Sequence, residues 1–312
     1  FADTNAPVDC AQFTAAFPRL RRVNCTSNAI PWLSAAPLAR LTCLALDSSA
    51  GDLDRVFPPD APCLCASLSR LCVAHNRSLT DAHFASICAL PSLRSLDVSF
   101  CYSLTREGFQ HLDALAASLE ELDVTFSRRE CCAPIAGLGS LRCLRKLALD
   151  IVDDLYLSEL AAFASLPILA ELSLHCTDHV IIPVLDLLSS LGVPLKKMQL
   201  FAIVCSDVLA WPTFEHAFRR FCLAHAQLRS LDLIDIGTLL SAACLACVCE
   251  TLLELRHLSI FGSPVRSLRV GTLAKLRTLV VPARDERGSV DFITERGPRL
   301  ERVMVGATVV VF

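Results

Sequence analysis

Leucines recur along the chain in a fixed phrase, Leu-x-x-Leu-x-Leu, and the phrase itself recurs. Its copies open at Leu20, Leu41, Leu68, Leu93, Leu119, Leu144, Leu169, Leu195, Leu228, Leu255, Leu276 and Leu300. The eleven intervals average about 25 residues, the spacing of a stacked repeat unit. The central copies read LRSLDVSFC from Leu93, LEELDVTFS from Leu119, LRKLALDIV from Leu144, LAELSLHCT from Leu169 and LRSLDLIDI from Leu228. Within a copy the fourth and sixth positions, such as Leu96 and Val98, fall on one face of a short strand. A single strand of this kind cannot bury its apolar face. Neighbouring copies stacked in parallel merge these faces into one continuous core, which is why many successive copies are needed.

The residues between strands change period. Phe84, Ile87 and Cys88 stand at i, i+3, i+4, and Phe109, Leu112 and Leu115 or Ala116 repeat that spacing, so helices are predicted there. Thr80 and Thr105 precede these stretches as N-caps. Each unit is then strand, turn, helix, with strands inside a curve and helices outside. Residues 1–312 are expected to form one such array. Twelve strands at ~4.8 Å make an inner arc of roughly 55–60 Å, wide enough for a standard interface of ~800 Å² on one partner.

Three places break the pattern. The interval from Leu195 to Leu228 is the longest and contains Trp211-Pro212 and the pair Arg219-Arg220. Extra residues go to turns or to the outer face, which makes Trp211, Arg219 and Arg220 a candidate second contact; the alternative is a longer outer helix with no partner. VRSLRV from Val265 suggests an additional strand and leaves the register open between Ser263 and Leu276. The chain closes on the apolar VGATVVVF, expected either to pair as a terminal strand or to continue past Phe312.

CYSLTREGFQHL from Cys101 and NRSLTDAHFASI from Asn76 resemble the cysteine-containing class of leucine-rich repeats, whose units run Cys-x-x-Leu-Thr-Asp-x-x-Leu after the strand. That class is best known from F-box/leucine-rich-repeat receptors of ubiquitin ligases and is similar to the longer ribonuclease-inhibitor type. The resemblance covers about Leu20 to Val305. It implies an α/β leucine-rich-repeat solenoid, a horseshoe with a parallel concave sheet of about twelve strands and helices on the convex face. The chain departs from the pattern at Asn76, Ser127, Val152, Thr177 and Ile236, which stand where the class carries Cys. No F-box-like helical segment precedes Leu20, so the adaptor-binding half of such a receptor is expected to lie outside this chain.

Composition narrows the chemistry. Of 312 residues 53% are hydrophobic and 20% charged, which excludes a disordered chain, and a net charge of −3 gives no long-range attraction to polyanions. Only four of the 29 basic residues are Lys. Seventeen cysteines, an odd number spread from Cys10 to Cys249, suit buried thiols in a reducing intracellular compartment, cytoplasm before organelle. Cys244-x-x-Cys247-x-Cys249 lacks the second ligand pair of a zinc site, and the segment suits a buried helix. Cys63-x-Cys65 and Cys131-Cys132 are read in the same way. His75, His175, His179 and His257 belong to no HExxH pair. No nucleophile elbow, phosphate loop or Gly-rich stretch occurs, so neither enzyme activity, cofactor, metal nor small-molecule substrate is expected. The apolar windows Ile236–Cys249 and Val180–Leu195 are bounded or interrupted by Asp235, Glu250 and Asp186, short of the ~20 residues of a membrane span. The triplets at Asn24 and Asn76 carry no weight as glycosylation sites. The chain begins at Phe1, which suggests a fragment or a processed product with a leader removed.

The fifth and seventh positions of each copy face the concave surface. The fifth includes Asp97 and Asp123; the seventh includes Asp150, His175, Phe201, Ile234 and Phe261. An acidic column, Asp97, Asp123 and Asp150, thus gives way to an apolar stripe at Phe201, Ile234 and Phe261. Apolar side chains exposed on three adjacent strands need a cover. The stripe is the expected centre of a protein-binding surface, oriented by the aspartates at its edge; the alternative is a shift of phase that buries the rings. Nucleic acid is disfavoured by the aspartates and by the lack of an evident basic stripe. The function expected is a non-catalytic interaction scaffold, a subunit of a larger intracellular assembly that binds one or more proteins. The alternative is the substrate-recognition half of an F-box-type ubiquitin-ligase receptor.

Overall fold

Two residues after each opening leucine, the backbone enters a strand. The computed structural model describes residues 19–26, 39–47, 53–58, 65–126, 135, 137–151, 157–203, 211–236, 239–261, 268–281, 293–295, 297–305 and 308–311. The chain divides into two compact units, Phe1–Ala148 and Leu149–Phe312, and the boundary falls within a strand.

In the first unit the strands are β1 (Arg22–Thr26), β2 (Cys43–Asp47), β3 (Arg70–Cys72), β4 (Ser95–Asp97), β5 (Glu121–Asp123) and β6 (Lys146–Ile151). They pair in parallel in sequence order. The register sets third position against third position, Arg70 against Ser95 and Ser95 against Glu121. Leu71, Leu96, Leu122 and Leu147 therefore line up on one face and are buried there.

Among the described residues, three helices contribute to this core: α1 (Leu53–Val56), α2 (Asp81–Cys88) and α3 (Arg106–Phe109), the last continued by a 3-10 turn over Gln110–Leu115. Phe84, Ile87 and Cys88 of α2 and Phe109, Leu112 and Leu115 are buried, the two phenylalanines edge to face at 5.5 Å. Thr80 and Thr105 occupy the predicted N-cap positions, and the Thr105 hydroxyl accepts the Glu107 N–H.

The second unit continues the period. Its strands are β7 (Glu171–Thr177), β8 (Lys197–Ile203), β9 (Ser230–Ile234), β10 (His257–Phe261), β11 (Leu268–Arg269), β12 (Thr278–Val281), β13 (Ile293–Glu295), β14 (Arg302–Val305) and β15 (Thr308–Val311). β7, β8, β9, β10, β12 and β14 pair in that order in parallel. The extra strand expected near Val265 forms at Leu268–Arg269 but outside this ladder: β11 pairs with β13 in a separate two-stranded sheet. β10 passes directly to β12, which fixes the register between Ser263 and Leu276. The apolar tail folds back as β15, antiparallel to β14, and covers the edge of the last parallel strand.

Among the described residues this unit has four helices: α4 (Leu157–Ala162), α5 (Asp178–Leu191), α6 (Trp211–Ala224) and α7 (Ala242–Thr251). In α5, Val180, Ile181, Val184, Leu185 and Leu188 form the buried stripe, and the helix stops at Gly192, whose φ of 63° suits a residue without a Cβ. In α6 the stripe is Phe214, Phe218, Phe221 and Cys222. Both helices have 14 residues. No helix among the described residues is long and apolar enough to cross a membrane.

Candidate functional site

Along β7, the odd positions Leu172, Leu174 and Cys176 numbered from its second residue are buried, while Glu171, Ser173, His175 and Thr177 between them are half-buried on the open face. Cross-strand register carries this alternation to the neighbours. His175 pairs with Phe201, Phe201 with Ile234 and Ile234 with Phe261. The four seventh-position residues thus form one row across β7, β8, β9 and β10, roughly 14 Å long at ~4.8 Å per step. His175 stacks on Phe201 with centroids 4.9 Å apart, Phe201 and Ile234 are half-buried, and Phe261 is 48% exposed.

Beside that row, the fifth positions are polar. Ser173 donates to the Gln199 side-chain carbonyl at 3.2 Å, and Asp232 lies 2.8 Å from the His257 ring in the adjacent third-position row. The open face of this unit is therefore apolar along one row and polar along the next two, an arrangement suited to an amphipathic partner surface.

The aspartates occupy their predicted positions but differ in what they offer. Asp97 Oδ1 accepts the Ser99 N–H at 3.0 Å and its hydroxyl at 2.7 Å, while Oδ2 receives the Cys72 thiol at 3.4 Å. Asp123 Oδ1 accepts the Thr125 N–H at 3.0 Å and its hydroxyl at 2.6 Å. These carboxylates close the ends of their own strands, so they are spent in part on local structure. Asp150 is only 4% exposed, which corrects the expectation of an exposed three-residue column: at the end of a longer strand its side chain is enclosed. Asp97 and Asp123 lie in the first unit and Asp150 in the second.

The other candidates separate from this row. Arg219 and Arg220 are exposed on α6, and Arg220 pairs with Asp186 of α5. Trp211 opens the same helix, though its side chain lies outside the described residues. Cys63, Cys131, Cys132, Ser127 and Val152 also lie outside them. Cys244, Cys247 and Cys249 are buried on α7 as expected, but their thiols are not alike. Burial pushes Cys249 up to about 11, whereas a hydrogen bond from the Cys222 thiol draws Cys247 down to about 7. Burial pushes Cys101 and Cys176 up to about 12. Eleven of the cysteines among the described residues are reduced thiols, and no group of three or more His, Cys, Asp or Glu there is placed to hold a metal. The histidines disperse: His83 meets Asp54 at 2.7 Å, and His225 is buried against the Leu188 carbonyl at 3.2 Å, its pKa lowered by burial.

A second row of rings was missed in the repeat. At the eighth position, where the chain leaves the strand, His75, Phe100 and Phe126 adopt φ of 57°, 59° and 54°. The His75 and Phe100 N–H groups still bond the next copy's seventh carbonyl, both at 2.8 Å, and the positive φ turns the chain away at once. The three rings stack, 4.3 Å from His75 to Phe100 and 4.9 Å from Phe100 to Phe126. The sequence signal is an aromatic residue at one position of three successive copies.

No protein-family model matches the chain, and no curated protein does. Among solved structures the chain is similar to an internalin, InlF, from Listeria monocytogenes, at 17% identity over 78% of this chain and 67% of that one, with a TM-score of 0.45. It is similar also to the functional domain of InlJ from Listeria monocytogenes, which includes a cysteine ladder, at 16% identity over 84% and 58% with a TM-score of 0.35. The plant peptide hormone receptor RGFR1, solved in complex with RGF2, is similar at 14% identity over 80% and 53% with a TM-score of 0.28. The chain thus spans little more than half the length of the last two. From its own strands, six in parallel in each unit at one leucine period, the fold is an α/β leucine-rich-repeat solenoid.

Proposed function

We propose that this protein is a non-catalytic scaffold that docks another protein on the open face of its parallel strands, with Phe201, Ile234 and Phe261 at the centre of contact and His175 beside them. The observation that carries this is the single row those residues form, ending in a phenylalanine left 48% exposed. An exposed apolar row on adjacent strands is a liability unless a partner covers it. The polar rows beside it supply the rim that such interfaces use for orientation. Asp97 and Asp123 form a secondary contact of the first unit, and Trp211, Arg219 and Arg220 on α6 form another of the second.

The same reading makes the chain one array of repeats acting within a larger intracellular assembly. Its cysteine-containing character rests on the Leu93 copy, where the buried Cys101 thiol donates to the Val73 carbonyl at 3.1 Å. The test is affinity purification with wild type and with the Phe201→Asp/Phe261→Asp double variant. Loss of the co-purifying protein from a folded variant is expected, and undiminished recovery refutes the docking row. Recovery of a fixed large complex marks a scaffold subunit, whereas a small adaptor with a cullin marks the recognition half of a ubiquitin ligase.

A further inference from the structure

The second residue of each copy stands just ahead of its strand, and these residues form a row of their own. In the second unit the row reads Ala170, Lys196, Arg229, Arg256, Arg277 and Glu301. Backbone hydrogen bonds set its spacing: the N–H of each residue bonds the carbonyl of the one before, Arg229 to Lys196, Arg256 to Arg229 and Arg277 to Arg256, all at 2.8 Å. Consecutive members are therefore held about one strand spacing apart, ~4.8 Å. Four cations follow one another on four consecutive copies, and all four are exposed.

At two steps where this row carries opposite charges, neighbouring side chains pair. Arg94 bonds Glu120 in the first unit, and Arg277 lies 3.7 Å from Glu301 in the second. Side chains at this position thus reach from one copy to the next. From Lys196 to Arg277 every step instead sets like charges side by side, an arrangement that costs stability. Among the described residues, Lys196, Arg229 and Arg256 make no ion pair within 4.0 Å. One carboxylate already sits against the row. Glu254 accepts from Lys275 and lies in the field of Arg229 and Arg256, which together hold its carboxyl below the usual range.

We propose that the Lys196–Arg229–Arg256–Arg277 row is a docking edge for an extended, acidic segment of a partner protein, whose Asp and Glu side chains seat on these four cations. The row length of roughly 14 Å matches about five extended residues, and guanidiniums bind carboxylates in a two-pronged geometry. A peptide is preferred to nucleic acid for two reasons. Glu254 and Glu301 interrupt the positive charge, and a peptide can space its carboxylates around them, whereas a nucleic acid places a phosphate at every nucleotide. The second- and third-position rows of this unit also contain no Phe, Tyr or Trp on which bases would stack. This edge is independent of the apolar row on the open face.

The experiment is fluorescence anisotropy on the whole chain with three labelled probes: a peptide of alternating Glu and Asp, its Gln/Asn counterpart, and an oligo-dT strand. Saturable binding of the acidic peptide alone is expected, weakening with salt and weakening by about tenfold or more in Arg229→Glu/Arg256→Glu. The reversal relieves the like-charge steps from Lys196 to Arg229 and from Arg256 to Arg277 but keeps one between positions 229 and 256, so circular dichroism checks the fold; the Arg229→Gln/Arg256→Gln variant, expected to weaken binding in the same direction, carries the test if the reversal does not fold. Equal binding by the folded variants, no binding of the acidic peptide at low salt, or tighter binding of oligo-dT than of the peptide overturns the proposal.

Discussion

Phe100 poses a direct question of energetics, because its backbone sits where a side chain is costly. Its φ of 59° crowds a Cβ against the backbone, at ~1–2 kcal/mol for an L residue. Its ring stacks on both His75 and Phe126, worth ~0.5–1.5 kcal/mol per pair beyond buried area. Two variants separate these contributions. Phe100→Ala removes the ring and keeps the strain; Phe100→Gly removes both. In extended backbone Gly is worse than Ala by roughly 0.5–1 kcal/mol, through its freedom in the unfolded chain. At position 100 the relief outweighs that cost, and Phe100→Gly should be the more stable by roughly 0.5–1 kcal/mol. Both should fall below the parent, since two lost stacks remove ~1–3 kcal/mol. Urea denaturation followed by circular dichroism gives the comparison, with Ser95 of β4 as the control site where Ala should exceed Gly. If Ala equals or exceeds Gly at position 100, the strain argument is wrong.

Other substitutions probe the outer layer and the buried thiols. Phe218, fully buried between Phe214 and Phe221 on α6, should cost ~3–5 kcal/mol on replacement by Ala. Leu223→Ala on the exposed side of the same helix should change urea stability by less than ~0.5 kcal/mol. A Cβ at Gly108 would come within 2.3 Å of Asp81 Oδ1, an atom fixed by the Thr105 N–H at 2.8 Å; Gly108→Ala should lose ~1–3 kcal/mol as that bond breaks, measurable as a lowered thermal midpoint. Burial raises the Cys101 thiol from its ordinary 9 to about 12, so the folded state keeps a proton that the unfolded state gives up. Its contribution is complete below about pH 9 and declines as pH rises toward 12, by up to ~1.4 kcal/mol per unit. Unfolding midpoints of Cys101→Ala should therefore fall less steeply than those of the parent across that window.

The periodicity exposed the strands because one spacing repeats through the whole chain: the Leu68, Leu93 and Leu119 copies enter β3, β4 and β5 two residues later. Thr80 and Thr105 marked helix starts because a cap is a local event. The Phe201–Ile234–Phe261 row was also accessible, since register in a parallel ladder follows from the leucines. What escaped depends on contacts between distant segments. Nothing local says that Leu268 pairs with Ile293 or that the tail reverses onto Arg302–Val305. Asp97 and Asp123 look like surface charges until their bonds to Ser99 and Thr125 are seen. The row from Lys196 to Arg277 was hidden by intervals of 21 to 33 residues and by an overall charge of −3.

The docking row can be interrogated by placing a photo-reactive benzoyl-phenylalanine at Phe261, and separately at the exposed Leu223 on the helical side, and irradiating each protein in lysate before purification. A discrete covalent adduct with one protein from position 261 and none from position 223 is the predicted result. Equal adducts from both positions, or an adduct from 223 alone, would contradict the assignment of the open face as the site of binding.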